Sequence, residues 1–323
     1  MLTSVKESTS TSNGFQYYYG GAPSKGVSYN FIVFFTLHLI ILNYQIITIA
    51  CSKKKKAFVT KKQMTRYLCM MIPFCVGCLF ETVGFVGRLL SSHDVNNLSA
   101  YIMQSTCILL APTLFAATIY MSFGELVKTL RVDEKSLIKP KYLTKTFVTG
   151  DVLSFLLQGS GGGLYASGSS STGRILILAG LFVQIVFFVL FCIVEIVFYY
   201  RVEKHPNNIS TVTRQLPSKL RNWRTYSGML FLVSILILIR SIYRTLEFIQ
   251  GFDGSIARDQ GLLYVLDSGM MNLAAVLVVS FNIPDFMVSF EKQANDFEDM
   301  NTIINAYDSK SQDAIGLPLR TLI

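Results

Sequence analysis

The stretch ILILAGLFVQIVFFVLFCIVEIVFYY, residues 175–200, decides the fold class, because Glu195 is its single charged residue. A membrane helix needs about 20 mostly apolar residues to cross about 30 Å of hydrocarbon at 1.5 Å per residue. Residues 175–200 exceed that length without a helix-breaking proline. The stretch therefore predicts a transmembrane helix.

Six other apolar stretches have the same property, so the predicted fold is all-α, a polytopic bundle of seven transmembrane helices. The predicted spans are residues 28–51, 67–90, 98–127, 146–166, 175–200, 226–248 and 262–288. The fourth is the least apolar, because four glycines interrupt it, and it is retained because small residues are tolerated where membrane helices pack closely. The resulting organisation is an N-terminal tail (1–27), a membrane domain (28–288) and a C-terminal tail (289–323).

Lysine and arginine are concentrated in alternate loops. The loops at 52–66, 128–145 and 201–225 hold 19 of them, whereas the other loops and the N-terminal tail hold four. The positive-inside rule then predicts an N-terminus outside the cytosol and a C-terminus within it. Four consecutive lysines predict contact with anionic lipid on the cytoplasmic leaflet: Lys53, Lys54, Lys55 and Lys56.

Composition supports a membrane protein and argues against nucleic-acid binding. Hydrophobic residues make up 51%, charged residues 15%, and the mean hydropathy is +0.44. The net charge of +9 is explained by the loops that set the orientation. We expect a multi-pass protein of the plasma membrane, with an internal membrane as the alternative.

The sequence disfavours an enzyme, a metal site and an ATP-driven pump. The three histidines, His38, His93 and His205, fall in a predicted span, an outer loop and an inner loop, so they cannot converge on a metal. Neither a G-x-S-x-G elbow nor a G-x-x-x-x-G-K-[ST] loop is present. We therefore expect no cofactor, and core packing for His38.

Charged side chains within the predicted spans are the candidate functional residues, since each costs about 2.5–3.5 kcal/mol to insert. Six of them fall in the predicted outer half of the membrane: Glu81, Arg88, Arg240, Arg244, Glu247 and Asp267. Helical spacing places the pair from the second span on one face and the three from the sixth span on another. They form either a salt-bridge network or a polar substrate site, and the two are compatible.

Asp151 and Gln158 form a second candidate group, toward the predicted cytosolic side. They are seven residues apart and share a helix face, and Glu195 lies at a similar depth. Asp151 either contacts a cationic headgroup or pairs with Lys145 or another loop base at the start of its helix. Both interpretations stay open at this stage.

Several motifs, in this order along the chain, resemble the fungal lipid-translocating exporter family, also called the aminocholesterol-resistance family. They are ETVGFVGR (81–88), LLAP (109–112), AATIY (116–120), GDVLSFLLQ (150–158), GGG (161–163), RSIYRTLEFIQG (240–251) and YVLD (264–267). The resemblance covers about residues 28–288. One departure is visible, because Asp259 and Gln260 stand where relatives tend to carry His-Glu.

The resemblance implies seven helices with an outside N-terminus, and export or flipping of sphingoid long-chain bases. It also implies resistance to toxic amphiphiles, or uptake of porphyrin or sterol-like molecules. A sphingoid base would place its amine against Glu81, Asp151, Glu247 or Asp267, with Arg88, Arg240 and Arg244 holding the carboxylates. The expected partners are thus membrane lipids and an amphipathic small molecule. A seven-helix receptor for lipids is the rival class.

Overall fold

Helices account for all the regular structure that the described residues contain. A computed structural model describes residues 24–52, 59–93, 98–132, 134, 136–138, 140–166, 170–206, 209–211, 222–250 and 260–315. The lysines predicted to contact anionic lipid, Lys53 to Lys56, lie outside these residues, as do Asp259 and most of the N-terminal tail.

The long helices follow the predicted spans and extend beyond most of them. Their bounds are α1 (Lys25–Cys51), α2 (Lys61–Cys69), α3 (Ile72–His93), α4 (Leu98–Thr129), α5 (Pro140–Ala166), α6 (Ser170–Lys204), α7 (Trp223–Gln250), α8 (Gln260–Leu262), α9 (Met270–Phe281) and α10 (Ile283–Ile315). A π-helical segment, Leu263–Gly269, joins α8 to α9.

Seven of these helices form a closed ring. Helix α1 packs on α3, and each following helix packs on the next in the order α3, α4, α5, α6, α7 and α9. Helix α9 then returns to α1, and α4 also contacts α7 across the ring. Large apolar side chains such as Tyr44, Ile175 and Phe182 are exposed on the outside. Charged side chains are buried inside, which is the arrangement expected of a bundle surrounded by lipid.

Six helical segments of the described chain are long and apolar enough to cross a membrane. The helix that carries the predicted fourth span, α5, is not among them, although it is 27 residues long. Its glycines, threonines and charged residues lower the mean hydropathy of the helix. The structure therefore confirms an all-helical protein with several membrane helices, but it does not confirm the predicted count of seven spans.

The predicted second span is not one continuous helix. Helix α2 begins with a capping box, in which Thr60 and Gln63 bond each other's backbone amides, and it ends at Cys69. A turn at Met70 and Met71 precedes α3. Pro73 explains the restart, because a proline lacks an amide donor and is tolerated in the first turn of a helix.

The predicted seventh span is also interrupted. Asn282 has a φ of 45°, in the left-handed region, and separates α9 from α10. The carbonyl of Val279 accepts hydrogen bonds from the Asn282 amide (3.3 Å) and from Gln45 Nε2 (2.9 Å). Asparagine is suited to this position because it tolerates left-handed backbone better than most residues. Helix α10 then continues through residue 288, where the predicted span stops.

Helices α5 and α6 approach closely at their glycines. A Cβ on Gly180 would lie 2.7 Å from the Ser154 carbonyl oxygen, and one on Gly161 would lie 2.7 Å from the Gly173 carbonyl oxygen. Only residues without a Cβ permit this contact between helix backbones. Three of the four glycines that interrupt the predicted fourth span, Gly159, Gly162 and Gly163, have open space instead. Close packing thus accounts for part of the glycine content.

Candidate functional site

The six charged residues that the sequence predicts for the outer half of the membrane are here called the outer charge layer, and those of α7 and the π-helical segment form an ion-pair network. Arg244 donates to Asp267 through Nη2 (2.8 Å) and Nε (3.2 Å), and to Glu247 through Nη1 (2.8 Å). Arg240 Nε lies 2.7 Å from Asp267 Oδ1, a charge contact without hydrogen-bond alignment. Asp267 is fully buried and has an arginine at each oxygen. The predicted salt-bridge network is therefore present.

Arg240 also bonds a backbone carbonyl of α4 that Pro112 leaves without its usual helical donor. Pro112 lies inside α4 and cannot donate a hydrogen bond to the carbonyl four residues earlier, that of Ile108. Arg240 Nη2 donates to the Ile108 oxygen at 2.6 Å. The arginine thus satisfies a buried carbonyl that the helix leaves unpaired, and it ties α7 to α4 as well as to Asp267.

Glu81 lies in the same layer but takes no part in its hydrogen bonds. Its side chain is fully buried, and neither carboxylate oxygen has a hydrogen-bond partner among the described residues. It interacts electrostatically with Arg240, Arg244 and Asp267. The layer therefore supplies cationic charge near Glu81 without a direct ion pair.

Arg88 is buried against an aromatic ring at the end of α3. Its guanidinium carbon lies 4.7 Å from the centre of the Tyr264 ring, and its Nε donates to the Tyr264 hydroxyl at 3.1 Å. Phe31 stacks on the same tyrosine with ring centroids 6.3 Å apart. Such cation–π contacts fix an arginine by its planar face. Tyr264 of the π-helical segment thus connects Arg88 of α3 with Phe31 of α1.

Two further buried carboxylates, Asp151 and Glu195, interact electrostatically with the Tyr120 hydroxyl, and we call the three residues the inner acid site. Asp151 comes from α5 and Glu195 from α6, and the side chains are 3% and 2% exposed. No oxygen of either has a hydrogen-bond partner among the described residues. The Tyr120 hydroxyl interacts with both acids, and Ser234 interacts with Glu195, but without hydrogen-bond alignment.

The structure tests the predicted pairing of Asp151 with Lys145, whereas the side chains of the loop bases Lys135, Lys139 and Lys141 lie outside the described part of the chain. Lys145 is exposed to the surroundings, and the described ion pairs include none to Asp151. The predicted pairing with Lys145 is therefore wrong: the turn of α5 that intervenes places the two side chains on different surfaces. Asp151 is left as a buried carboxylate without a basic partner in the described part of the chain.

Gln158 is buried as predicted, but its side-chain amide is already hydrogen-bonded to neighbouring polar groups. Its Nε2 donates to Ser154 Oγ (2.7 Å) and Gln184 Oε1 (3.1 Å), and Ser154 Oγ donates to the Gly180 carbonyl (2.7 Å). These contacts join α5 to α6 where the glycines let the helices meet. Gln158 is thus held by the packing of two helices.

Sequence reasoning missed the interaction of Tyr120 with Asp151 and Glu195, and the anchoring of α10. Glu291 on α10 accepts from Gln63 Nε2 (2.8 Å) and from the Tyr67 hydroxyl (3.3 Å). Acidic residues spaced along 285–299 were the available signal for an ordered helix with basic or polar partners. The spacing along one helix cannot identify those partners, because they lie on α2.

A groove of about 560 Å³ lies along the C-terminal part of α6. Its walls are apolar and its rim carries charged side chains. The lining residues are Glu134, Ile196, Val197, Tyr200, Arg201, Lys204 and His205. The mostly basic rim suits an anionic headgroup better than a cationic one.

Comparison with known proteins places these motifs in a described family. The family described as RTA1 like protein matches residues 74–290. In Saccharomyces cerevisiae, Protoporphyrin uptake protein 1 is 38% identical over 298 residues, covering 86% of this chain and 94% of that protein. Protein RTA1 is 37% identical over 283 residues, covering 83% and 86%.

A more distant yeast relative, Sphingoid long-chain base transporter RSB1, is 25% identical over 249 residues, covering 68% of this chain and 65% of the transporter. No solved structure gives a significant match. The family resemblance drawn from the sequence motifs is confirmed.

Proposed function

The chain belongs to the RTA1-like protein family, and from that premise we propose that it translocates amphipathic molecules with a cationic headgroup across a membrane. Sphingoid long-chain bases are the proposed substrate class, and export that gives resistance to toxic lipids is the proposed outcome. Relatives of this family include membrane proteins with roles in porphyrin uptake and sphingoid-base transport, as their names state. Among those roles we select transport of a cationic amphiphile, because the buried site contains a carboxylate.

The observation that carries the proposal is the buried, unpaired carboxylate of Asp151. An isolated charge in a low-dielectric interior is costly unless a partner of opposite sign is present. The described residues around Asp151 offer a hydroxyl but no cation. An ammonium headgroup would supply the missing charge, and the apolar tail would remain in the lipid or between helices.

We further propose seven spans, an outside N-terminus and a cytosolic C-terminus. The 19-to-4 distribution of basic residues supports this orientation. The position of α5 between α4 and α6 in the ring supports its crossing the membrane although its composition is less apolar. In this topology the inner acid site lies nearer the cytosol, and the outer charge layer lies nearer the outside.

The sequence motifs and the proposed topology also suggest how transport is driven and in which membrane the protein lies. Without a nucleotide-binding motif, substrate movement would be downhill or coupled to an ion, and no chemical conversion is proposed. The plasma membrane is the proposed location, with anionic lipid of the cytoplasmic leaflet bound by Lys53, Lys54, Lys55 and Lys56. These lysines follow α1 directly in sequence, which places them at the membrane surface in this topology.

Porphyrin uptake is a second candidate, favoured by the 38% identity to Protoporphyrin uptake protein 1. A protoporphyrin carries carboxylates, so its natural protein partners would be arginines. Arg244 already holds Asp267 and Glu247, and Arg240 holds Asp267 and the Ile108 carbonyl. A porphyrin would have to displace those contacts, whereas a cation need displace none at Asp151.

The test measures both substrates in the same cells. Cells expressing the wild type, Asp151→Asn or the exposed control Asp299→Asn at equal surface level would be assayed for export of a labelled sphingoid base and for uptake of a fluorescent protoporphyrin. We expect Asp151→Asn to reduce base export at least tenfold and Asp299→Asn to leave it unchanged. Unchanged export in Asp151→Asn would contradict the proposal, and loss of porphyrin uptake alone would favour the second candidate.

A further inference from the structure

The groove along the C-terminal part of α6 has no role in the proposed transport of a cationic headgroup, because its rim is mostly basic. We call it the α6 groove. Six of its lining residues recur at intervals of one helical turn and therefore share one face of α6: Ile196, Val197, Tyr200, Arg201, Lys204 and His205. A seventh, Glu134, comes from the segment between α4 and α5.

The chemical character of this face changes along the helix. Ile196 and Tyr200 are exposed apolar side chains that precede the basic Arg201 and Lys204. At 1.5 Å per residue, the eight residues from Ile196 to Lys204 extend about 12 Å. The polar headgroup region on each side of the hydrocarbon is about 5–8 Å thick. The α6 groove is therefore long enough to reach from the acyl chains of a leaflet past its headgroups.

The groove opens at the cytosolic boundary of the membrane in the proposed topology. The fifth predicted span, which α6 carries, runs from the outside to the cytosol, so the C-terminal end of α6 is cytosolic. Tyr199 and Tyr200 are exposed at this end. Tyrosines are enriched at membrane–water interfaces, where one end of the ring is apolar and the other is hydrated. The two rings thus agree with a headgroup level near Arg201.

The rim of the groove carries an excess of positive charge. Its lining contains two bases, Arg201 and Lys204, and one acid, Glu134, which give a formal charge of +1 when His205 is neutral. Glu203 belongs to the same turn of α6, but it forms an ion pair with Arg224 of α7, whose Nε lies 2.7 Å from Glu203 Oε2. The charge that complements the rim is therefore negative.

We propose that the α6 groove binds one anionic phospholipid of the cytosolic leaflet, with an acyl chain along Ile196 and Val197 and the phosphate at Arg201 and Lys204. Basic pockets between membrane helices on the cytoplasmic side are typical sites for anionic lipid headgroups. A lipid with one net negative charge, such as a phosphatidylserine, matches the charge of the rim. The assignment to the cytosolic leaflet depends on the proposed topology, whereas the proposed substrate plays no part in it.

This site differs in kind from the lysines that follow α1. Lys53 to Lys56 are consecutive in sequence and predict attraction to any anionic surface. The α6 groove combines charge with a concave apolar wall, and its volume of about 560 Å³ is typical of sites that enclose part of a ligand. Helix α1 is also not a neighbour of α6 in the ring. We therefore expect binding of a single lipid that saturates.

The experiment counts lipids bound to the full-length protein. The protein in mild detergent would be titrated with phosphatidylserine, and in parallel with phosphatidylcholine that has the same acyl chains, and bound lipids would be counted by native mass spectrometry. We expect the first phosphatidylserine to bind at least about tenfold more tightly than phosphatidylcholine. Soluble glycerol 3-phosphate should not displace it, because the apolar wall contributes to binding.

Three variants test where the lipid binds. Arg201→Gln with Lys204→Gln removes both bases and should weaken phosphatidylserine binding at least about tenfold. The matched control, Lys61→Gln with Lys62→Gln, removes two exposed bases at the start of α2 and should change it by less than about twofold. Val197→Trp fills part of the groove without a change of charge and should also weaken binding. Size-exclusion chromatography would confirm that each variant is folded.

Several results would overturn the lipid site. Equal affinity for the two lipids, or equal loss in the two double variants, would show that the positive charge of the whole protein attracts the lipid. Normal binding by Val197→Trp would exclude the groove, and displacement by glycerol 3-phosphate would indicate a site for free phosphate. Displacement by a sphingoid base would assign the groove to the substrate. None of these results affects the Asp151→Asn export test, so the proposed function is tested separately.

Discussion

Replacing Asp267 by asparagine should destabilise the bundle more than any other single change in the outer charge layer. The substitution preserves the size of the side chain and removes its charge. Asp267 is completely buried, with Arg240 at one oxygen and Arg244 bonded to both. After the change, Arg244 keeps Glu247 as an ion-pair partner, whereas Arg240 keeps only the longer-range attraction of Glu81 and Glu247 among the described residues.

The structure gives the size and the order of the effects. Removing one partner of a buried ion pair costs about 3–5 kcal/mol, because the other charge is left uncompensated. Glu247 is less buried, with a side chain 16% exposed, and has one ion-pair partner, Arg244. Glu247→Gln should therefore cost about 1.5–3 kcal/mol, as expected for a hydrogen bond to a charged group.

A paired substitution tests whether the charges act on one another. Arg244→Gln removes the base that both Asp267 and Glu247 contact. Combining it with Glu247→Gln removes one acid and one base together, so the layer regains neutrality. We expect the double variant to be more stable than the sum of the two single effects predicts, by at least about 1 kcal/mol.

The assay is the fraction of monodisperse protein that survives a temperature ramp in mild detergent, followed by size-exclusion chromatography. Asp299→Asn is the matched control, since it makes the same chemical change at an exposed position. We expect the order of loss Asp267→Asn, Glu247→Gln, then the control. Equal loss in Asp267→Asn and Glu247→Gln, or strictly additive losses in the paired experiment, would refute the arrangement of partners described above.

Three further predictions concern the bundle. Arg240→Lys should lower thermal stability, because a lysine cannot contact both Asp267 and the Ile108 carbonyl. Adding Pro112→Ala should recover part of the loss, because it gives that carbonyl a helical donor. A thermal ramp that shows no recovery would contradict this prediction. Gly180→Val should cost at least about 2 kcal/mol through its clash with α5, whereas Gly159→Ala, with open space, should be neutral or stabilising in the same assay. Reporters fused at the two termini should lie on opposite sides of the membrane, and finding both on one side would remove a span, α5 first.

The sequence was sufficient to predict the all-helical class and the burial of most charged residues within the predicted spans. Apolar runs near the thickness of a bilayer predict helices directly, because the backbone must bond internally in hydrocarbon. Spacing along α7 placed Arg240, Arg244 and Glu247 on one face, and the structure finds them in one network. The sequence did not predict the helix breaks at Met70–Met71 and Asn282, because neither break changes the apolar composition of the predicted span in which it lies.

The partners of the charges depended on the tertiary structure. Spacing identifies which residues share a helix face, but the rotation and axial offset of neighbouring helices decide which faces meet. Asp267 therefore lies between two arginines, while Glu81 has no hydrogen-bond partner among the described residues. The carbonyl freed by Pro112 is bonded by an arginine from α7. The same packing brings both Asp151 and Glu195 within electrostatic range of the Tyr120 hydroxyl. The sequence determined that these charges are buried, and the packing of the ring determined which of them are compensated.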